Sequence, residues 1–127
     1  MKTTSELMDG KVTLDEMKEL IEGFCTERDW DRFHNPKDLA IGIVTEGAEL
    51  LEIFRFKTPE ECAEMFADEN RRTMIEDELA DAFYFVLRFA QMNDIDLSEA
   101  LSSKLLKNGD KYPVEKSRGC NRKYNEF

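Results

Sequence analysis

Residues 72–92 contain neither glycine nor proline, and the segment is apolar on most of its sides: Met74, Ile75, Leu79, Ala82, Phe83, Phe85, Val86, Leu87, Phe89 and Ala90. A run that long cannot be a strand, and a helix this apolar all round must lie centrally or in a subunit contact. Its neighbours read the same way. Leu14, Met17, Leu20, Ile21, Phe24 and Cys25 form a stripe with a period near 3.6, opened by a Thr13-x-x-Glu16 capping box. Ile43, Val44, Leu50, Leu51, Ile53 and Phe54 recur at helical spacing after the turn signal Asn35-Pro36, so a second helix starts near Asp38 or Leu39. Thr58-Pro59-Glu60-Glu61 opens a short helix to about Ala67. Asp96 with Glu99 opens a last long one, expected to end at Asn108-Gly109. No segment reads as a strand. The pattern predicts an all-α fold, a helical bundle of four to five helices that oligomerises through its apolar helices. It forms one domain over residues 1–127, with an irregular polar tail from about 109.

The net charge of −10, from 18 basic and 28 acidic residues, excludes nucleic acid and anionic membranes as non-specific partners. A small phosphorylated ligand stays possible, because a bound cation can reverse the sign of a site. No apolar run approaches the roughly 20 residues of a membrane span. The opening MKTTSELMDGKV has no apolar core of a secretory signal. Cys25, Cys62 and Cys120 fit neither a zinc pattern nor a disulfide framework, and a cytoplasmic, reducing setting is expected.

Within IVTEGAELLEIF, residues 43–54, Glu46 lies one turn from both Ile43 and Leu50, on the stripe that should face the core, and Glu49 follows three residues later. Glu78 and Asp81 repeat the spacing within EDELADAFYFVLRFA, inside the long apolar segment. Pairs at i and i+3 share a helix face. Either pair alone fits a solvated face; two pairs embedded in apolar segments do not, because several uncompensated carboxylates cannot be buried near one another. Two compensations are open: basic side chains such as Lys37, Arg55, Lys104 and Lys111, or a hard divalent cation of the Mg²⁺ type, which takes carboxylates, waters and phosphate oxygens. A single histidine argues against a di-iron bundle. Asp77 and Glu52 could replace one of the four acids in a rival set.

The segments ERDWDRFHNPKDLA, EGAELLEIF, EDELADAFYF and KNGDKYP, with the terminal RKYNEF, occur in order. Together they resemble the all-α nucleoside triphosphate pyrophosphatases, the MazG-like superfamily, and within it the dCTP pyrophosphatase branch. The resemblance runs from Leu14 to Phe127. It implies Mg²⁺-dependent hydrolysis of a deoxynucleoside triphosphate, dCTP or a modified dCTP, to the monophosphate and pyrophosphate, with Mn²⁺ as a substitute metal. The implied role is nucleotide-pool sanitation by a homotetramer, a dimer of dimers. Glu46, Glu49, Glu78 and Asp81 become the metal ligands and catalytic acids. Trp30, Phe33 and His34 match the base-pocket segment, and Lys37 its basic position. Lys104, Asn108, Lys111 and Tyr112 match later polar positions suited to phosphate or sugar.

Two aromatic positions depart from the branch. Phe56 stands where it often has Trp, and Phe85 where it often has Tyr, which removes a hydroxyl from the substrate pocket. Gly47 lies inside the acidic helix, at a place where it could admit a second helix. The rivals are a dUTP or broad dNTP pyrophosphatase and a non-catalytic nucleotide-binding oligomer. The four carboxylates are expected to converge on one cavity, with Lys37 and Trp30 at its edge or supplied by a neighbouring subunit.

Overall fold

The structure, a computed structural model, describes residues 7–127. Residues 1–6, part of the opening stretch read above for a signal, lie outside them. The described residues are helical, with no strand among them. They form two compact units, up to Asp94 and from Ile95 onward. None of their helices is long and apolar enough to cross a membrane.

The first unit contains α1 (Leu14–Glu27), α2 (Pro36–Phe54), α3 (Pro59–Met65) and α4 (Glu69–Met92), with a 3₁₀ turn at Asp31–Phe33. Side chains set each start. Thr13 and Glu16 exchange both bonds of a capping box, as do Thr58 and Glu61. α2 begins two residues earlier than expected, because Asn35 accepts from the Asp38 amide at 2.9 Å and Pro36 fills the first helical position. α4 also begins earlier, at Glu69, because Asp68 caps the amides of Asn70 and Arg71. Asp29, Phe56 and Asp94 adopt positive φ just beyond α1, α2 and α4, doing at helix ends what glycine usually does.

α4 is central, as its composition requires: both α1 and α2 pack on it. The deepest apolar side chains are Cys25, Leu39, Met65, Ile75, Leu87 and Ala90. The Cys25 sulfur lies 3.1 Å from the Tyr84 hydroxyl and ties α1 to α4. All three cysteines are free. α2 runs antiparallel to α4, with Gly42 against Phe85 and Glu46 and Glu49 beside Glu78. At the crossing a Cβ on Gly42 would stand 2.5 Å from the Phe85 ring. Gly47, the glycine expected to admit a helix, faces open space. The outer apolar faces remain exposed, with Val44 at 71% and Leu51 at 65%.

The second unit is α5 (Leu97–Lys111), α6 (Val114–Ser117) and a terminal 3₁₀ turn at Tyr124–Glu126. Asp96 caps α5 through the Glu99 amide at 2.8 Å. The helix continues through the expected stop at Asn108-Gly109 to Lys111, and the Tyr112 amide closes it on the Asn108 carbonyl. Within this unit Tyr112 meets the rings of Tyr124 and Phe127 edge-on, and the Lys111 ammonium lies 4.9 Å from the Tyr124 ring centre.

The two glycines of α2 should therefore respond oppositely to a methyl group. Gly42→Ala drives a carbon into the Phe85 ring and should cost about 1–3 kcal/mol. Gly47→Ala meets nothing and should add up to about 1 kcal/mol through helix propensity. Urea denaturation midpoints of the two variants check this, and equal shifts would refute the crossing.

Candidate active site

The antiparallel pairing of α2 and α4 brings three acids from distant parts of the chain to one place. Glu46, Glu49 and Glu78 each present a carboxylate oxygen within 4.8 Å of the others. Glu46 and Glu78 are half-buried and Glu49 is exposed. One oxygen of Glu46 and one of Glu78, both Oε2, are buried without a hydrogen-bond partner. Asp81, one turn further along α4, lies outside the tight group and is exposed, yet its charge acts on both Glu46 and Glu78.

The electrostatics follow from this crowding. Glu46 is pushed up from 4.5 to about 7, first by burial, then by its hydrogen bond with Glu49 and by the charges of Glu49, Asp81 and Glu78. Glu78 is raised too, again by burial first and then by Glu49 and Asp81. Among the described residues none of the four acids makes an ion pair, so basic side chains do not supply the compensation. Arg55 is committed elsewhere, pairing with Glu52 at 2.8 Å and lying over the Phe56 ring. That contact also removes Glu52 from the rival acid set, and Asp77 is absent from the cluster. Partnerless buried oxygens, crowded acids and an all-carboxylate donor set fit a hard divalent cation. Glu46, Glu49 and Glu78 could hold it, with Asp81 one turn away.

Trp30, Phe33 and His34 gather at the other end of the same helix pair, before the start of α2. Trp30 is 39% exposed and stands edge-on to Phe24 and to His34, whose ring centre is 6.2 Å away. Phe33 is exposed beside the Arg32 guanidinium, and Lys37 is exposed in the first turn of α2. Phe56 is 91% exposed on left-handed backbone. Phe85 is half-buried between Gly42 and Tyr84. Lys104, Asn108, Lys111 and Tyr112 belong to the second unit. Sequence reasoning passed over Arg88, a fully buried charge on α4. Its Nε donates to His34 Nδ1 at 2.9 Å, and its other nitrogens donate to Asp31 and Gln91. The argument that singled out Glu46, a charge inside an apolar stripe that must find a partner, applies equally to Arg88.

A model of the MazG-like family matches residues 41–127. The mouse and human proteins named dCTP pyrophosphatase 1 are each 34% identical to this chain over 115 residues, covering 91% of it and 68% of their own length. The crystal structure of a pyrophosphatase from Archaeoglobus fulgidus is 33% identical and superposes with a TM-score of 0.74, covering 85% of this chain and 99% of that one.

The crowded carboxylates make stability depend on pH. Glu46 keeps its proton up to about 7 when folded but only to about 4.5 when unfolded. Between those values the folded state binds the extra proton, so stability present below the window is withdrawn as pH rises through it. The metal-free protein should melt at a lower temperature at pH 7.5 than at pH 5. Mg²⁺ should raise the midpoint more at pH 7.5, by binding only the folded state. Glu46→Gln should flatten the pH slope. Thermal melts with EDTA and with Mg²⁺ read all three effects.

Proposed function

The chain belongs to the MazG-like family, and from that membership and its carboxylate cluster we propose that it hydrolyses a deoxynucleoside triphosphate, dCTP or a modified dCTP, to the monophosphate and pyrophosphate. The observation that carries this reading is the convergence of Glu46, Glu49 and Glu78, with two buried oxygens lacking any protein partner. Such a group is a poor design for stability and a good one for holding Mg²⁺ against a triphosphate. Asp81 completes the ligand set. The ion, when bound, neutralises charge on the phosphate chain and on the departing pyrophosphate.

The chain's own residues supply position and proton transfer. A carboxylate of the cluster left free of the ion can accept a proton from the attacking water. That water's oxygen forms the new bond to phosphorus while the bond between the α- and β-phosphoryl groups breaks and pyrophosphate leaves. No protein nucleophile is needed, because phosphoryl transfer depends mainly on positioning and charge. Trp30 and Phe33 offer faces for a base, with His34 beside them as a hydrogen-bonding group, and Phe56 and Phe85 line the approach. Lys37, in the first turn of α2, supplies a donor for phosphate.

The exposed apolar faces of α2 and α4, including Val44, Leu51, Met74 and Leu79, support assembly as a homotetramer, a dimer of dimers. The free cysteines fit a reducing cytoplasm, where the reaction would sanitise or balance nucleotide pools.

Pyrophosphate release across a panel of dNTPs, with and without Mg²⁺, tests the reading. Activity should require Mg²⁺ or Mn²⁺ and be greatest with dCTP or a 5-modified dCTP. Greatest activity with dUTP, or equal rates throughout, would replace the substrate assignment. Glu49→Ala and Asp81→Ala should each lower kcat by about two orders of magnitude or more. If the wild type hydrolyses no nucleoside triphosphate with either metal, the chain is a nucleotide-binding module.

A further inference from the structure

Among the described residues, Arg88 is the buried charged side chain, and neither packing nor the carboxylate cluster explains its burial. It is fully buried on the central helix α4, where a leucine or methionine of similar volume would cost less. All three of its nitrogens are used: Nε donates to His34 Nδ1 at 2.9 Å, while the terminal nitrogens donate to Asp31 and Gln91. Gln91 in turn donates to Glu22 at 3.0 Å. The Asp31 contact alone would staple the 3₁₀ turn to α4. The contact with His34 does something that a staple does not require.

A guanidinium can only donate, so the Nδ1 that receives it must be unprotonated, and a neutral imidazole of that form carries its proton on Nε2. His34 therefore has one polar atom left, a donor, with no partner for Nε2 among the described residues. Burial and the Arg88 charge hold the imidazole below its usual proton affinity, against the opposing pull of Asp31. Trp30, the remaining ring beside it, carries no charge.

Position completes the case. Glu78 lies ten residues before Arg88 on α4, about 15 Å along a helix, and α2 runs antiparallel beside it. A triphosphate held at the carboxylates would extend its base along this seam toward His34.

We infer that Arg88 is a positioning residue that locks His34 as a hydrogen-bond donor through Nε2, so that the pocket takes a base edge presenting an acceptor there, such as O2 or N3 of cytosine. The inference rests on the nucleotide reading above and adds to it the residue that dictates which base edge is accepted.

His34 is the sole histidine, so long-range proton–nitrogen NMR spectra of the full-length ¹⁵N-labelled protein report its tautomer without ambiguity. At pH 7 the wild type should show a protonated Nε2 and an unprotonated Nδ1, and adding dCTP should shift the Nε2 resonance. A protonated Nδ1 in the free protein overturns the inference, and so does dCTP binding with Nε2 unmoved. Arg88→Met should mix the tautomers and move the titration up toward 6.5. The double variant Arg88→Met with Asp31→Asn, which leaves no unpaired carboxylate beside the methionine, serves if the single variant does not fold. Asp31→Asn weakens the staple but keeps the Arg88–His34 contact, and should keep both tautomer and base preference.

In kinetics, the Arg88 variants should raise KM for dCTP by up to about tenfold, the value of one hydrogen bond. Their kcat and their inhibition by inorganic tripolyphosphate, which has no base, should change little. Parallel weakening of dCTP and tripolyphosphate would reduce Arg88 to a structural staple. Wild-type protein that binds dCTP without hydrolysing it would sink the enzyme reading alone, while failure to bind any nucleotide sinks both.

Discussion

α2 can lie against α4 only because Gly42 offers no side chain where the Phe85 ring passes. Most of the first unit depends on that close antiparallel approach. One helical turn from the contact, Glu46 comes beside Glu78, and the next turn adds Glu49. In the other direction α2 starts at Pro36, directly after the segment that places His34 against Arg88. A wider crossing would separate the carboxylates and let water reach their partnerless oxygens. The glycine therefore serves the chemistry by fixing a distance rather than by contacting a ligand.

The two ends of this seam solve one problem in opposite ways. At the Arg88 end a buried charge is compensated within the chain, by a carboxylate, an amide and an imidazole, and the result is rigid. At the Glu46 end like charges are crowded and two buried oxygens have no protein partner, a cost that a bound cation would remove. On the proposed reading, the first arrangement orients a neutral group toward a base and the second holds a cation against a polyphosphate.

Much of this was legible along the chain because helix starts are local. Thr13, Thr58 and Asp96 cap within three residues of themselves, so their spacing alone reveals them. Helix ends were less legible. α5 passes through Asn108-Gly109 because Gly109 takes no left-handed conformation there and the Tyr112 amide closes the helix later. The start of α2 was displaced because Asn35, read as a turn residue, turned out to cap. The acid pairs were visible from their i, i+3 spacing inside apolar stripes. Gly42 was not, since a glycine in a helix does not announce what passes over it, and attention to Gly47 was misplaced for the same reason.

Periodicity and caps, which are properties of a few consecutive residues, determined from sequence alone that the chain is helical and that two pairs of acids lie within apolar helical segments. Which of those acids meet, and what they lack, was decided by the tertiary structure. Glu46 and Glu78 are neighbours only because α2 doubles back along α4 at a separation set by one missing Cβ. Two of the partners of Arg88, His34 and Asp31, are likewise 54 and 57 residues away. A sequence shows that a buried charge needs compensation, but only the fold determines whether the chain supplies it or leaves it to a ligand.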